Sequence, residues 1–313
     1  MNRKENEEAL RTYIKENARP VELAWYNYCF ENGTIDEAIN EIIKYQNPDG
    51  GFGHGLEADF WSPKSSPIAT NDAIIRLNMV NGLVKGSHLV NEIVRYLASG
   101  DAFDRKKKKW LFAIERNREY PHAIWWVPEK GSDGIEEFNP TVSLASFVVC
   151  YGEDDGYYAD IVREAIKFLE NADKMGGDNI KCFLLAYDLL FQNNISGIID
   201  LEKNKKIIQE MMLNEICADV SKYGNEYVTA PSDFFVGKYW QFYSPKFSEL
   251  IKNEIDNFPN ILLEDGGFDI YWEWYTDYPE FEQAKAMWRP KVSLERLLFW
   301  KEAKERHKLE KLN

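Results

Sequence analysis

The chain has 313 residues, 44% of them hydrophobic and 29% charged, and carries a formal net charge of −14 at pH 7. This composition is typical of a globular protein with enough apolar surface for a core. The acidic surplus argues against partners that need clustered Lys and Arg, so we expect no binding to nucleic acid or to anionic lipid.

The ends and the cysteines of the chain point to the cytoplasm. Residues 1–17 form a charged helical stretch without the apolar segment of a signal peptide, and no apolar run is long enough to cross a bilayer. The four cysteines are widely spaced and form no C-x-x-C pair, which is typical of free thiols. We therefore expect a cytoplasmic protein with no membrane insertion.

Helical periodicity of the apolar residues dominates the sequence. Thr34-Ile35-Asp36-Glu37 has the form of a capping box, and the helix that it begins is expected to end at the Asn47-Pro48 break. Alternating patterns are scarce, with short extended pieces at 123–127 and 227–230. The fold class predicted is all-α. Apolar stripes place further helices at 5–17, 21–31, 68–81, 87–99, 104–116, 140–151, 157–171, 179–192, 203–220, 245–257, 280–288 and 291–310.

One basic block interrupts the acidic sequence. It consists of four consecutive lysines, 106–109, and Trp110, Leu111 and Phe112 follow it in a helix-compatible segment. We interpret the block as a solvated helix start, in preference to a docking patch.

A short motif is duplicated in the chain. Asp49-Gly50-Gly51-Phe52 returns as Asp265-Gly266-Gly267-Phe268, 216 residues later, and Glu57 and Glu273 fall in the same register. Recurrence at a fixed offset indicates repeated supersecondary units. Because one helical hairpin cannot bury its apolar face alone, we predict a single domain, residues 1–313, built as an α/α toroid of about six helical hairpins around a central cavity.

The motif and the apolar helix before it resemble the Gln-to-aromatic repeat of terpenoid cyclases, such as squalene cyclase, and of the β subunits of protein prenyltransferases. The residues that carry the resemblance are Gln46, Asp49, Gly50, Gly51 and Phe52. Those families are α/α toroids, so the resemblance implies this fold and an isoprenoid-related substrate. The chain is long enough for one toroid and has no Asp-x-Asp-Asp motif, and it looks most like single-toroid relatives that share the repeat.

The glycine-rich loop after the first copy carries the first group of candidate catalytic residues. These are His54, Glu57 and Asp59, which the surrounding glycines would allow to point into a cavity. A histidine beside carboxylates, or a carboxylate beside aromatic rings, suits general acid or base chemistry. For Asp49 and Gln46 we favour a bracing role instead, with Asp49 capping a turn and Gln46 tying helix ends.

The second candidate group lies at the duplicated position. Glu273 is the candidate catalytic residue there, and Tyr271, Trp272 and Trp274 are candidate substrate-binding residues. Aromatic faces can stabilise a cation or hold a flat ligand. If each hairpin takes about fifty residues, Glu57 and Glu273 lie on the same rim of the ring. The alternative is that the rings fill space between helices.

A third candidate group is His122, Trp125 and Trp126, which we interpret as a wall of a substrate-binding site, with a core role as the alternative. A metal site that uses His54, Glu57, Asp59 and His122 is conceivable, although no local spacing requires one. No metal is predicted and no cofactor is assigned.

Three functions stay open at this point. The first is an enzyme that applies acid chemistry to a small, isoprenoid-like ligand. The second is a carbohydrate-active hydrolase or lyase, since toroids also host such enzymes and two carboxylates can flank a glycosidic bond. The third is a non-catalytic binding or scaffold protein. The sequence does not decide whether the chain is an enzyme, and it predicts no oligomeric state.

Overall fold

The structure is a computed structural model that describes residues 3–310. Its α-helices and 3₁₀ helices together make up about 59% of the chain, and the sheet in the described residues has only two strands. The all-α prediction is therefore confirmed. The α-helices in this part are α1 (Arg3–Asn17), α2 (Pro20–Phe30), α3 (Ile35–Ile43), α4 (Pro67–Met79), α5 (His88–Ser99), α6 (Thr141–Tyr151), α7 (Tyr157–Asn171), α8 (Gly177–Gln192), α9 (Leu201–Glu215), α10 (Ser248–Ile261) and α11 (Phe281–Glu310).

The chain divides into two compact units. Unit 1 consists of Met1–Ala38, Met212–Glu273 and Phe281–Asn313, and unit 2 consists of Ile39–Met211 and Trp274–Glu280. In unit 1, α1 packs along α11. In unit 2, the almost fully buried α6 contacts α4, α5, α7 and α8. A closed ring of hairpins stays a prediction. None of the helices among residues 3–310 is both long and apolar enough to cross a membrane.

The capping box at the start of α3 is confirmed. The Thr34 N–H donates to Glu37 Oε2 at 2.7 Å, and the Glu37 N–H donates to Thr34 Oγ1 at 3.2 Å. These two reciprocal bonds satisfy backbone donors that a helix start leaves without intrahelical partners.

The helix predicted at 104–116 is wrong. Strands β1 (Phe103–Asp104) and β2 (Lys109–Trp110) form an antiparallel hairpin there, and a 3₁₀ helix follows at Glu115–Glu119. Asp104 Oδ1 accepts the N–H groups of Lys106 and Lys107, both at 2.9 Å, and this local turn competes with a helix. The basic block is therefore the tip of a hairpin and not a helix start.

The last two predicted helices, 280–288 and 291–310, are one helix, α11, which continues through Pro290. Proline removes one backbone hydrogen bond and normally favours a helix end. Here the helix buries apolar side chains on both sides of the proline, including Ala284 and Leu294 at 0% exposure. Packing thus outweighs the local preference.

The duplicated motif forms the same turn in both copies. Asp49 Oδ1 accepts the Gly51 N–H at 2.9 Å in unit 2. Asp265 Oδ1 accepts the Gly267 N–H at 3.0 Å in unit 1. Because a short Asp side chain reaches the backbone two residues on, the motif specifies this turn locally.

Two side chains brace the first copy. Asp49 Oδ1 also accepts the Ser65 hydroxyl at 2.7 Å, so Asp49 caps the turn as predicted. Gln46 Nε2 donates to the Gly50 carbonyl at 3.0 Å. This bond lies inside the turn, so Gln46 braces the turn itself, whereas the prediction was that it ties helix ends.

At three places within residues 3–310, the hydroxyl of a helix residue accepts the backbone N–H of a buried aromatic residue. We call these three hydrogen bonds the hydroxyl clamps. All six residues involved are at most 1% exposed. Two clamps belong to the duplicated motif, and the third joins residues outside it that lack the Gly-Gly pair. The clamps are Phe52 to Thr70 Oγ1 (3.1 Å), Trp110 to Thr141 Oγ1 (3.0 Å) and Phe268 to Ser293 Oγ (3.0 Å).

Removal of a clamp hydroxyl should destabilise the fold. We expect Thr70→Val to lower the free energy of unfolding by about 1–3 kcal/mol, because the buried Phe52 N–H loses its acceptor. Thr70→Ser keeps the hydroxyl and should cost only about 1 kcal/mol for the lost methyl group. Urea denaturation measures the unfolding free energy of both variants. Equal losses of unfolding free energy would show that the hydroxyl group does not contribute to stability.

Unit 1 contains a buried carboxyl group, Glu254 of α10, which is 1% exposed. Its oxygens accept the backbone N–H of Ser232, at 2.8 Å, and the Ser232 hydroxyl. Burial raises the pKa of Glu254, and nearby Asp233 adds to the rise, whereas the Ser232 bonds and the positive charge of Arg296 oppose it. Together these effects raise the pKa to about 7.

This pKa predicts a pH dependence of stability. Because the folded-state pKa lies above the ordinary value of 4.5, the stabilisation is complete below about pH 4.5 and is lost as pH rises through 7. We expect Glu254 to contribute a fall of about 3 kcal/mol in unfolding free energy between pH 4.5 and 8. Glu254→Gln should remove that fall in urea titrations, whereas Glu249→Gln, an exposed position on the same helix, should not. Parallel pH profiles for wild type and Glu254→Gln would contradict the prediction.

Candidate functional site

Three short segments of unit 2 lie side by side: 59–61, 121–124 and 274–276. The Ala123 N–H donates to the Asp59 carbonyl at 2.8 Å and joins the first two segments. The Ile124 N–H donates to the Trp274 carbonyl at 2.9 Å and joins the last two. Residues distant in sequence are thus aligned by backbone hydrogen bonds.

Asp59 is the most deeply buried of the candidate carboxylates, at 3% exposure. Its Oδ1 accepts the indole N–H of Trp274, which is 1% exposed, at 2.6 Å. A bond this short is typical of a charged acceptor, and it offsets part of the cost of removing a carboxylate from water. Asp59 and Trp274 are therefore one hydrogen-bonded pair, although 215 positions separate them in the sequence.

Glu57 places a second carboxyl group beside this pair. Glu57 is 9% exposed, and its Oε1 accepts the Asp59 N–H at 3.3 Å. Two buried carboxyl groups therefore lie two residues apart, in surroundings that include the Trp61 ring, which packs edge-on against the Trp274 ring at 6.2 Å.

His122 is buried on the central segment, at 6% exposure. Its Nδ1 lies 2.6 Å from the Tyr120 carbonyl, so Nδ1 carries the proton and Nε2 of a neutral ring keeps its lone pair. His122 pairs with Phe60 across the segments.

The third member of the loop group, His54, is placed differently. His54 is exposed and has a φ of +57°, and its Nε2 is 2.9 Å from Asn47 Oδ1. The structure therefore keeps His54 at the loop surface, whereas Glu57 and Asp59 are buried.

The two tryptophans after His122 differ in burial. Trp125 is half-buried. Trp126 is 7% exposed and packs against the rings of Phe60 at 5.3 Å and Phe112 at 4.9 Å. The contacts of Trp126 favour the core role that was its alternative interpretation.

The remaining candidates, Tyr271, Trp272 and Glu273, belong to unit 1. Glu273 is exposed. The Trp272 ring packs against Tyr271 at 5.3 Å and Trp288 at 5.2 Å. Seven of the ten candidates thus lie in unit 2, and the unit boundary falls between Glu273 and Trp274.

The 216-residue register does not extend to the helix hydroxyls. From the clamped aromatic residue to the helix hydroxyl there are 18 positions in the first copy and 25 in the second, a difference of seven residues. Glu57 is buried and Glu273 is exposed, so the two aligned side chains differ in burial.

Three residues near the site were not predicted. Trp61 packs on Trp274, Tyr278 packs on the His122 ring at 5.1 Å, and the Thr276 hydroxyl donates to the His122 carbonyl at 3.1 Å. The sequence offered no periodic signal for them, because the positive φ of Tyr275 interrupts any alternation of side chains in 274–278.

Within residues 3–310 no group of three or more His, Cys, Asp or Glu side chains is arranged to hold a metal ion. Comparison with profiles of known protein families, with curated proteins and with solved structures finds no match for this chain. A function must therefore be inferred from the geometry of unit 2 itself.

Proposed function

We propose that the chain is an enzyme that uses Glu57 and Asp59 for acid–base chemistry on a small organic substrate. The observation that carries the proposal is the pair of buried carboxyl groups beside the Trp274 indole. Two carboxyl groups in unlike surroundings are suited to unlike roles, one ionised and one that exchanges a proton.

The hydrogen bonds of Asp59 and Glu57 favour a different role for each carboxyl group. Asp59 accepts a charge-assisted bond from Trp274, which favours its ionised form, so it serves as the fixed negative charge. Glu57 is the residue that we assign to proton transfer, a role that typically contributes about 10²–10⁴-fold to the rate.

A hydroxylated substrate, such as a sugar, fits this site best. The carboxyl groups of Glu57 and Asp59 lie together with the rings of Trp61 and Trp274. Such a mixture supplies hydrogen bonds to hydroxyl groups, and the half-buried Trp61 ring supplies an aromatic surface to the ring of a sugar.

An isoprenoid substrate is the second candidate. The observation in its favour is the aromatic content, because the face of a half-buried ring such as Trp61 can stabilise a carbocation. Cyclase-like or prenyltransferase-like chemistry would then use the same carboxyl groups, as the motif resemblance implies.

Turnover assays decide between these classes. Purified protein is incubated with hexasaccharides (cellulose, chitin, starch and xylan series) and with farnesyl diphosphate and squalene, and products are identified by mass spectrometry. We expect sugar turnover that falls at least about 100-fold in Glu57→Gln and Asp59→Asn, and is unchanged in Glu129→Gln, an exposed carboxyl of the same unit. Unaltered turnover in Glu57→Gln contradicts the acid–base assignment, and absence of any product supports a non-catalytic protein.

A further inference from the structure

Tyr275 has an unusual backbone conformation for a large side chain. Its φ is +55°, in the left-handed region that bulky residues avoid. Among residues 3–310, seven non-glycine residues have positive φ, and Tyr275 is the one aromatic residue in this set apart from the imidazole of His54. A turn that required only this conformation would be served at less cost by Gly or Asn.

Anchored neighbours hold Tyr275 in this conformation. Trp274 before it is bonded to the Asp59 carboxylate at 2.6 Å, and Thr276 after it is bonded to the His122 carbonyl at 3.1 Å. Strain of this kind persists where the surrounding structure determines it, and it concentrates at ligand sites.

The Tyr275 ring does not stabilise the fold by burial. It is 70% exposed, and within the described residues its side chain makes no ring contact, cation–π contact or hydrogen bond. Ile124, on the segment bonded to Trp274, is also exposed, at 53%. A strained, solvent-facing ring that directly follows Trp274, the residue bonded to the buried Asp59 carboxylate, is best explained by a ligand that covers it.

We propose that Tyr275 is a stacking platform for one sugar ring of the substrate, with Ile124 as the apolar edge beside it. This inference rests on the proposed function and names a binding subsite for its substrate. The apolar face of a pyranose ring lies flat on an aromatic ring, so an exposed tyrosine next to the acid–base pair would position a sugar unit adjacent to the bond that reacts.

Isothermal titration with the four hexasaccharides tests the platform. We expect wild type and Tyr275→Phe to bind the same hexasaccharide with equal affinity. Tyr275→Ala should bind that hexasaccharide at least about tenfold more weakly. Phe191→Ala, which removes another exposed aromatic ring of unit 2 (53% exposed), should bind as wild type does. Wild-type affinity in Tyr275→Ala overturns the platform, and so does a wild type that binds none of the four series.

A stability measurement provides a second, independent test. Tyr275→Gly relieves the positive φ and should leave Tm unchanged or raise it. A fall in Tm of more than about 4 °C would show that the ring supports the fold, and would overturn the proposal.

The failures of the two proposals are distinguishable. Glu57→Gln that keeps both sugar binding and turnover rejects the acid–base assignment and leaves the platform standing. Glu57→Gln that loses turnover, together with Tyr275→Ala that binds normally, rejects the platform and leaves the acid–base assignment standing.

Discussion

Gly50→Ala should lower the free energy of unfolding by about 4 kcal/mol or more, one of the largest losses that a single substitution produces. Gly50 has a φ of +95°, and a Cβ atom built there would lie 2.0 Å from the backbone carbonyl oxygen of Glu92. Two effects act together: the conformation is unfavourable for alanine, and the clash is with backbone of α5, which cannot rotate away.

Gly86→Ala is the matched control for this prediction. Gly86 has a similar φ of +81°, but a Cβ atom there meets no atom within 4 Å. Gly86→Ala should therefore lower the free energy of unfolding by about 1–2 kcal/mol, the cost of the left-handed conformation alone. Gly266→Ala, in the second copy of the motif, should fall between the two, because its Cβ would lie 2.8 Å from the Ala9 carbonyl oxygen. Chemical denaturation ranks the three variants by their loss of unfolding free energy. Equal losses for Gly50→Ala and Gly86→Ala would show that α5 moves to accommodate the methyl group.

Trp274→Phe should cost about 3 kcal/mol of unfolding free energy. The substitution removes the indole N–H that Asp59 accepts at 2.6 Å, and bonds to charged groups contribute about 1.5–3 kcal/mol. It also leaves a space where the larger ring was buried. Urea denaturation measures the loss, which follows from the structure whether or not the proposed function is correct.

Trp61→Phe is the comparison for Trp274→Phe. The Trp61 indole donates to a neutral acceptor, the Ala58 carbonyl, at 2.9 Å, so its loss should cost only about 1 kcal/mol. A double-mutant cycle of Trp274→Phe with Asp59→Asn should show a coupling energy above about 1 kcal/mol. A coupling near zero would mean that the Asp59–Trp274 bond contributes nothing to stability.

Much of the secondary structure was predictable because its causes are local. The reciprocal bonds between Thr34 and Glu37 need only their own spacing, and they form as expected. The Asp-Gly-Gly-Phe turn is likewise specified by an Asp side chain that reaches the backbone two residues on. The predictions that were wrong, the helix at 104–116 and the break at Pro290, arose where a local turn or packing outweighed the apolar periodicity.

The candidate site was predictable only in part. Glu57, Asp59 and His122 were selected from the sequence, and the structure buries all three in unit 2. Trp274 was selected as a substrate-binding wall, yet its indole is bonded to Asp59. No pattern within either segment indicates this pairing, because a contact across 215 positions depends on how the chain folds back.

The sequence by itself determined the helical class, the capping of α3 and the form of the duplicated turn, since these depend on residues within one or two turns of one another. Only the tertiary structure decided that Asp59 bonds to Trp274, that Trp110 and Thr141 form a third clamp, and that Glu57 is buried while Glu273 is exposed. The physical reason is that burial and long-range hydrogen bonds depend on which segments meet, so two copies of one motif have unlike surroundings.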